Sequence, residues 1–254
     1  MKRLLVLVLA VSLVSITMLG QIAAVQAVST EYFGEDLGLG ETIRLPSWPN
    51  ADAAEADFLS RLIDVGTEDF ESYPDYTYAP LNITFPGAGT ATIEGDGFVY
   101  YQPDVDVGRY PTSGDKYWET SDDFSISFDA PVAAFGFHGI DIGDYSGQVV
   151  LELVNGGNRT FTVNNTIDGP GGSILYYGII EEDPALQFTK VVFTNTESGW
   201  DYFGIDDLTI GSLEQVIQDY IEVPVDIKPG SDSNPLNVNS KRSAAGCHPG
   251  HRSL

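Results

Sequence analysis

Cysteine is almost missing from this chain: 254 residues hold one, Cys247. That excludes an internal disulfide, so the core, aided in an exported domain by a bound metal, must hold the fold together. Positive charge is scarce too. Lys and Arg number 12 against 37 Asp and Glu, a formal net charge of -25. A nucleic-acid partner is therefore excluded, because phosphate binding needs clustered cations. Histidine occurs 3 times, and His248 and His251 lie in the last stretch of the chain. A Ser/His/Asp hydrolase would have to use His138, and no Gly-x-Ser-x-Gly elbow accompanies it. Following the apolar residues 132–137, His138 reads as a half-buried histidine with satisfied hydrogen bonds. Apolar runs long enough to span a bilayer are missing after residue 19.

The single long apolar run, residues 4–19, follows Lys2 and Arg3 and precedes Val25-Gln26-Ala27, the small-residue pattern of a cleavage site. A signal peptide over residues 1–27 is expected, leaving a mature chain that starts at Val28. It would be secreted to the extracellular space or cell surface, with no membrane contact after cleavage. Apolar residues make up 43% of the chain, too many for disorder, while 27 Gly, 14 Pro, 13 Tyr and 13 Phe favour strands and tight turns over long helices.

Residues 28–66 form an N-terminal segment, Gly-rich at first. A short helix is predicted from Asn50 or Asp52 through Ile63, with Asp52 and Glu55 in capping-box spacing and Gly66 as the residue that ends it. Asp52, Glu55 and Asp57 read as caps and a solvated helix side rather than as an acidic binding face. After residue 65 the apolar period changes to two. Strands are predicted at 81–85, 91–93, 98–101, 124–128, 132–137, 149–154, 160–163, 174–180, 188–193 and 202–210, separated by Gly, Pro and Asn clusters. Short strands without intervening helices give an all-β fold, an antiparallel β-sandwich over residues 67–211. A jelly roll is the expected arrangement, with one short N-terminal helix. Residues 212–240 read as a linker and the start of a truncated second module, and residues 241–254, without periodicity, as a disordered and dispensable tail.

Chemistry is sought among the acids and aromatics. Ca²⁺ takes six to eight oxygens, which strand ends and loops can supply. Glu68, Asp69 and Glu71, near the first sandwich strand, and Asp206 and Asp207, on the last, are expected to meet around a structural Ca²⁺, since terminal strands of a jelly roll run close together. Asp104 with Asp106, and Asp141 with Asp144, are weaker loop clusters that lack the EF-hand pattern. Tyr100, Tyr101, Tyr110, Tyr117, Tyr145, Tyr176, Tyr177 and Tyr202 suit strand packing. Trp118 and Trp200, beside turn-like polar residues, are the better candidates for stacking on sugar rings. Asn82, Asn158 and Asn164 lie in glycosylation sequons.

Four segments carry a resemblance: FPGAGTAT at 85–92, PTSGDKYW at 111–118, PVAAFGF at 131–137 and FGIDDLTI at 203–210. As a set they resemble the extracellular β-sandwich domain of exosortase-sorted, PEP-CTERM-type bacterial envelope proteins, over about half of the chain. Residues 225–241, VDIKPGSDSNPLNVNSK, resemble the start of a second module found near the C-termini of secreted proteins. That likeness stops at Lys241, and the family's terminal Pro-Glu-Pro motif, hydrophobic helix and Arg cluster are missing. One permitted coding of residues 241–254, with one base deleted, reads KGVLPVAILGTEA, the strand that follows in the module; a reading-frame slip is thus expected, and Cys247, His248 and His251 become accidents of it. Taken together, the export signal, the acids, the aromatics and the resemblance give the expectation of a non-catalytic cell-surface or extracellular-matrix protein, stabilised by Ca²⁺ and binding extracellular polysaccharide or a cell-surface glycan. The alternatives are a polysaccharide-acting hydrolase using paired carboxylates and a purely structural surface-layer or biofilm protein.

Overall fold

Alternation is plainest in the strand Leu81–Phe85, where Leu81, Ile83 and Phe85 are buried while Asn82 and Thr84 face solvent. The computed structural model describes residues 29–144, 148–195 and 201–218. The expected signal peptide, the linker beyond residue 218, the tail, Tyr145 and Trp200 lie outside the described residues.

In chain order the elements are β1 (Thr30–Asp36), α1 (Pro49–Leu59), β2 (Gly66–Glu68), β3 (Thr77–Tyr78), β4 (Leu81–Phe85), β5 (Gly89–Gly95), β6 (Phe98–Tyr101) and β7 (Lys116–Thr120). There follow β8 (Phe124–Val132), β9 (Ala134–Ile140), β10 (Val149–Val154), β11 (Asn158–Thr162), β12 (Ile174–Ile180), β13 (Phe188–Asn195) and β14 (Phe203–Gly211). One sheet has the order β1-β12-β9-β14-β7-β6-β3, with β2 also on β14; the other has the order β11-β10-β13-β8-β5-β4. Every pairing is antiparallel. From β7 onward the chain crosses between the sheets so that the first strand of the set lies beside the last, β7 against β14 and β8 against β13. This is the connectivity of a jelly roll, and the expected fold class is the observed one.

Between the sheets lies an apolar core that includes Ile93, Ile126, Phe135, Phe137, Tyr177, Phe193 and Ile205. Phe124 and Phe193 stack at 4.2 Å, and Phe137 meets Phe193 edge-on at 5.2 Å. Such aromatic pairs each add about 1 kcal/mol beyond their buried area. A second apolar layer, containing Phe58, Tyr110, Tyr117, Ile140 and Tyr176, fills the space between the larger sheet and α1.

Three local features differ from expectation. The N-terminal segment is part of the sandwich, because β1 pairs along its whole length with β12; its acids concealed an edge strand. Helix α1 begins with Pro49 in its first turn and is capped from β1, Asp36 Oδ2 accepting from the Asn50 and Ala51 amides at 2.9 and 3.0 Å. Asp52 and Glu55 are thereby released from capping. Gly66 does not end the helix but pairs with Ile210 in β2.

Strand β14 carries a bulge. Asp206 lies opposite His138 and Thr209 opposite Gly136, so two residues, Asp207 and Leu208, face the single Phe137. Asp207 takes φ +47°, the left-handed conformation that this bulge type needs and that Asp tolerates better than most residues. Ahead of the bulge Phe203 and Ile205 enter the inter-sheet core; after it Leu208 and Ile210 do, so the inward positions pass from odd to even. The neighbour of β14 changes at the same point, from β7 to β2.

Candidate functional site

Strands β2 and β14 do run side by side, with Glu68 opposite Leu208. Their carboxylates, however, are spent on separate tasks. Glu68 Oε1 accepts from the Phe70 amide and Asp69 Oδ1 from the Glu71 amide. Glu71 Oε1 accepts from the amides of Asp115 and Lys116 at 2.7 and 2.6 Å. Asp206 Oδ2 accepts from the amides of Thr112 and Ser113, while Asp207 Oδ1 accepts from Ser113 Oγ at 2.7 Å. Thr112 Oγ1 lies 3.0 Å from Asp206 Oδ2 and 2.8 Å from Asp207 Oδ2. A hydroxyl has one proton to give, so Thr112 Oγ1 divides it between the two carboxylates. Burial, and then the charge of Asp207, push the Asp206 pKa well above the carboxylate range. The bulge lets both acids reach Thr112, and they work as a clamp on the loop at residues 112–113. The terminal strands meet as expected; the five acids do not gather around one point.

Among the described residues, the His, Cys, Asp and Glu ligand atoms that do gather belong to Asp52, Glu55 and His138, one from each lying within 4.8 Å of the others. Asp52 and Glu55 are one helical turn apart on α1. The buried residues of α1, Ala51, Ala54 and Phe58, hold that turn against the sheet. Gly136 and Gly178 are cross-strand partners beneath the helix, and a β-carbon at either would collide with the Phe58 ring. That glycine floor brings α1 close enough for its acids to reach β9.

His138 is 2% exposed, and neither ring nitrogen has a hydrogen-bond partner. Its Nδ1 stands 3.5 Å from Asp207 Oδ2. Tyr176, the cross-strand neighbour on β12, meets the imidazole edge-on at 5.0 Å, and its buried hydroxyl is also without a partner. Burial, helped by the charges of Asp207 and Asp52, raises the Glu55 pKa to about 7. Burial, with Asp36 and Asp207, also raises that of Asp52. For His138 burial lowers the pKa to about 4, against the pull of Asp207. His138 was expected to be satisfied and is not; Asp52, exposed as expected, and Glu55, half-buried, converge on it. The visible signal was two acids at i and i+3 beside an Ala/Phe stripe, while their meeting with His138 is purely tertiary.

The aromatics divide by strand parity. Trp118, expected to stack on sugar, is fully buried in the inter-sheet core with its ring 6.4 Å from Phe70, because its neighbours Tyr117 and Glu119 take the other face of β7. That expectation is corrected. Tyr110, Tyr117, Tyr176 and Tyr177 are buried as well. Beyond the reach of α1, the outer face of the larger sheet ends instead in an open aromatic platform on β3 and β6 and the residue before them. Tyr76 and Tyr78 are 52% and 61% exposed. Tyr76 stacks on Phe98 at 5.5 Å, Tyr78 packs on Phe98 at 5.3 Å, and Tyr100 joins Phe98 edge-on at 5.8 Å. Tyr100 continues inward to Tyr117, whose hydroxyl donates to Glu119 Oε2, which also accepts from Arg109 Nε. Tyr76 holds φ +59°, an unfavourable conformation for a bulky residue, with its amide donating to the Val99 carbonyl and to Asp75 Oδ1. Tyr76 and Tyr78 escaped the sequence reading because β3 is two residues long.

No protein-family model and no curated protein matches the sequence. Several solved structures are similar in shape. A cleaved adhesin domain of Lys-gingipain is 12% identical, with a TM-score of 0.36 over 57% of this chain and 97% of that one. The C-terminal family 22 carbohydrate-binding module of Clostridium thermocellum Xyn10B is 15% identical, TM-score 0.36, over 60% of this chain and 96% of its own. The CBM22-1 xylan-binding domain of Paenibacillus barcinonensis Xyn10C is 12% identical, TM-score 0.35, over 63% and 99%. Among the described residues no helix is long and apolar enough to cross a membrane.

Proposed function

We propose that this chain is a secreted, non-catalytic cell-surface or matrix protein that binds a neutral polysaccharide on the aromatic platform of β3 and β6. The observation that carries this reading is the exposure of Tyr76 and Tyr78 around Phe98 and Tyr100. An apolar aromatic surface kept open to water is unusual outside binding sites. The C–H face of a pyranose ring is flat and apolar, and it stacks on such rings while its hydroxyls point to the rim. Asp75 and Asp106 lie close enough to add to the rise in the Tyr100 pKa, of which burial is the largest cause, and supply acceptors for those hydroxyls. The same acids, in a chain of net charge -25, repel uronate or sulfated polymers, so the glycan class is neutral. The backbone strain at Tyr76 is of the kind that persists at functional sites.

Affinity electrophoresis of the mature chain in gels containing a soluble xylan or β-glucan, with alginate as the anionic control, tests the reading. Retardation by a neutral polymer and none by alginate is expected. Tyr76→Ala with Tyr78→Ala should weaken retention about tenfold or more, since two stacked rings are worth about 1 kcal/mol each. Binding that survives the double substitution, or that favours alginate, overturns it.

A further inference from the structure

We propose that Asp52, Glu55 and His138 form a binding site for a divalent transition-metal ion of the Zn²⁺ type, which pins helix α1 to the sheet beneath it. The site is separate from the aromatic platform, and neither reading depends on the other. Three ligand atoms within 4.8 Å of one another close on an ion by side-chain movements of about 1 Å, because neighbouring ligands of a tetrahedral Zn²⁺ stand about 3.3 to 3.6 Å apart. The chemistry of the set is mixed, one imidazole and two carboxylates. Hard cations such as Ca²⁺ and Mg²⁺ take all-oxygen shells, whereas imidazole with carboxylate suits Zn²⁺.

His138 supplies the independent sign of a ligand. A buried ring with both nitrogens unpartnered has lost its water and gained nothing in exchange. With an ion on Nε2 and Asp207 drawn from 3.5 Å onto the Nδ1 proton, both nitrogens are satisfied. A carboxylate behind a metal-bound imidazole fixes its tautomer and raises its basicity. Asp52, Glu55 and Asp207 also bear on one another as like charges, and a dication turns that repulsion into attraction. Asp52 is exposed and Glu55 half-buried, so the site opens to solvent on the helix side and water completes the shell. The ion would join a helix and a strand far apart in sequence, the kind of link that a chain with a single cysteine cannot make covalently.

The test is thermal unfolding of the full mature chain, stripped with chelator and titrated with Zn²⁺, alongside the visible spectrum with Co²⁺. Two variants separate the possible sites. Asp52→Asn with Glu55→Gln keeps size and shape on α1. Cys247→Ser with His248→Ala and His251→Ala removes the ligands of the tail. At free Zn²⁺ a thousand times its Kd, the melting temperature should rise by roughly 8 to 16 °C. The rise and the Co²⁺ d–d bands should both be lost in the helix variant and kept in the tail variant, and Ca²⁺ or Mg²⁺ should shift melting much less. The proposal is overturned if Zn²⁺ leaves melting unchanged, if the helix variant responds like the parent, if the response disappears with the tail ligands alone, or if Ca²⁺ matches Zn²⁺.

Discussion

Strand β9 turns Phe135 and Phe137 to one side and Gly136 and His138 to the other, and the two layers it separates differ in kind. On the inner side, aromatic and aliphatic residues of both sheets fill the space. On the outer side, α1 rests on glycines, and the layer around it holds His138, Glu119, Asp206 and tyrosines whose hydroxyls need partners. The inner layer holds the sheets together by area and shape. The outer one has room for chemistry, because its packing is interrupted by groups that must be satisfied from somewhere. Where α1 ends, the same outer face becomes the aromatic platform.

This contrast can be attacked from both sides. The largest effect belongs to the inner layer: Phe137→Ala should cost about 3 to 5 kcal/mol, read as a lower denaturant midpoint, because the surrounding rings cannot collapse into the cavity. In the outer layer the sensitive change is an addition. Gly136→Ala puts a methyl into Tyr176 Oη and the Phe58 ring, and should cost about 1 to 3 kcal/mol. Lifting α1 in this way should also weaken the proposed metal response, whereas Phe137→Ala should lower stability with and without metal alike.

The smallest effect is a matter of pH. Asp141 is 2% exposed, and burial, opposed by the Gly172 amide and aided by Asp144, raises its pKa to about 7. The folded state therefore keeps this proton to higher pH than the unfolded chain does. Its contribution to stability falls as pH rises from about 4 to about 7 and is level above that. Asp141→Asn retains an acceptor for the Gly172 amide and tolerates the local φ of +58°. It should gain about 1 to 3 kcal/mol over the parent at pH 8 and converge with it near pH 4, by urea unfolding at both. A constant difference across that range would show that Asp141 is not the titrating group.

The inner layer is also the layer that was legible in the sequence. Strands β6 and β12 fall on the predicted residues 98–101 and 174–180, and β4 and β10 likewise, because their residues carry strong β-propensity between clear turn signals. Strand β7 was missed: Tyr117, Trp118 and Glu119 are all buried, so hydropathy does not alternate along it. Glu119 is buried because Arg109 and Tyr117 satisfy it, a tertiary fact. The candidate sites were half legible. Asp52 and Glu55 stood out as an acidic turn and His138 as a lone histidine, but only the glycine floor at Gly136 and Gly178 brings them together. Trp118 was misassigned because polar neighbours in sequence were taken for exposure, when strand parity pointed its ring inward.

The additional residue at Asp207 behaves like a dislocation in a crystal. On either side of it the lattice is regular, and each half of β14 obeys its own in-and-out rule. The two halves can thus change independently: the first, facing β7, is tied to the loop at residues 112–113, and the second, facing β2, to the start of the sandwich. Removing the defect would shorten the strand by one step and turn Leu208 and Ile210, now between the sheets, onto the opposite face of the larger sheet, where Thr209 now lies. In this strand the irregular position keeps the regular ones in place.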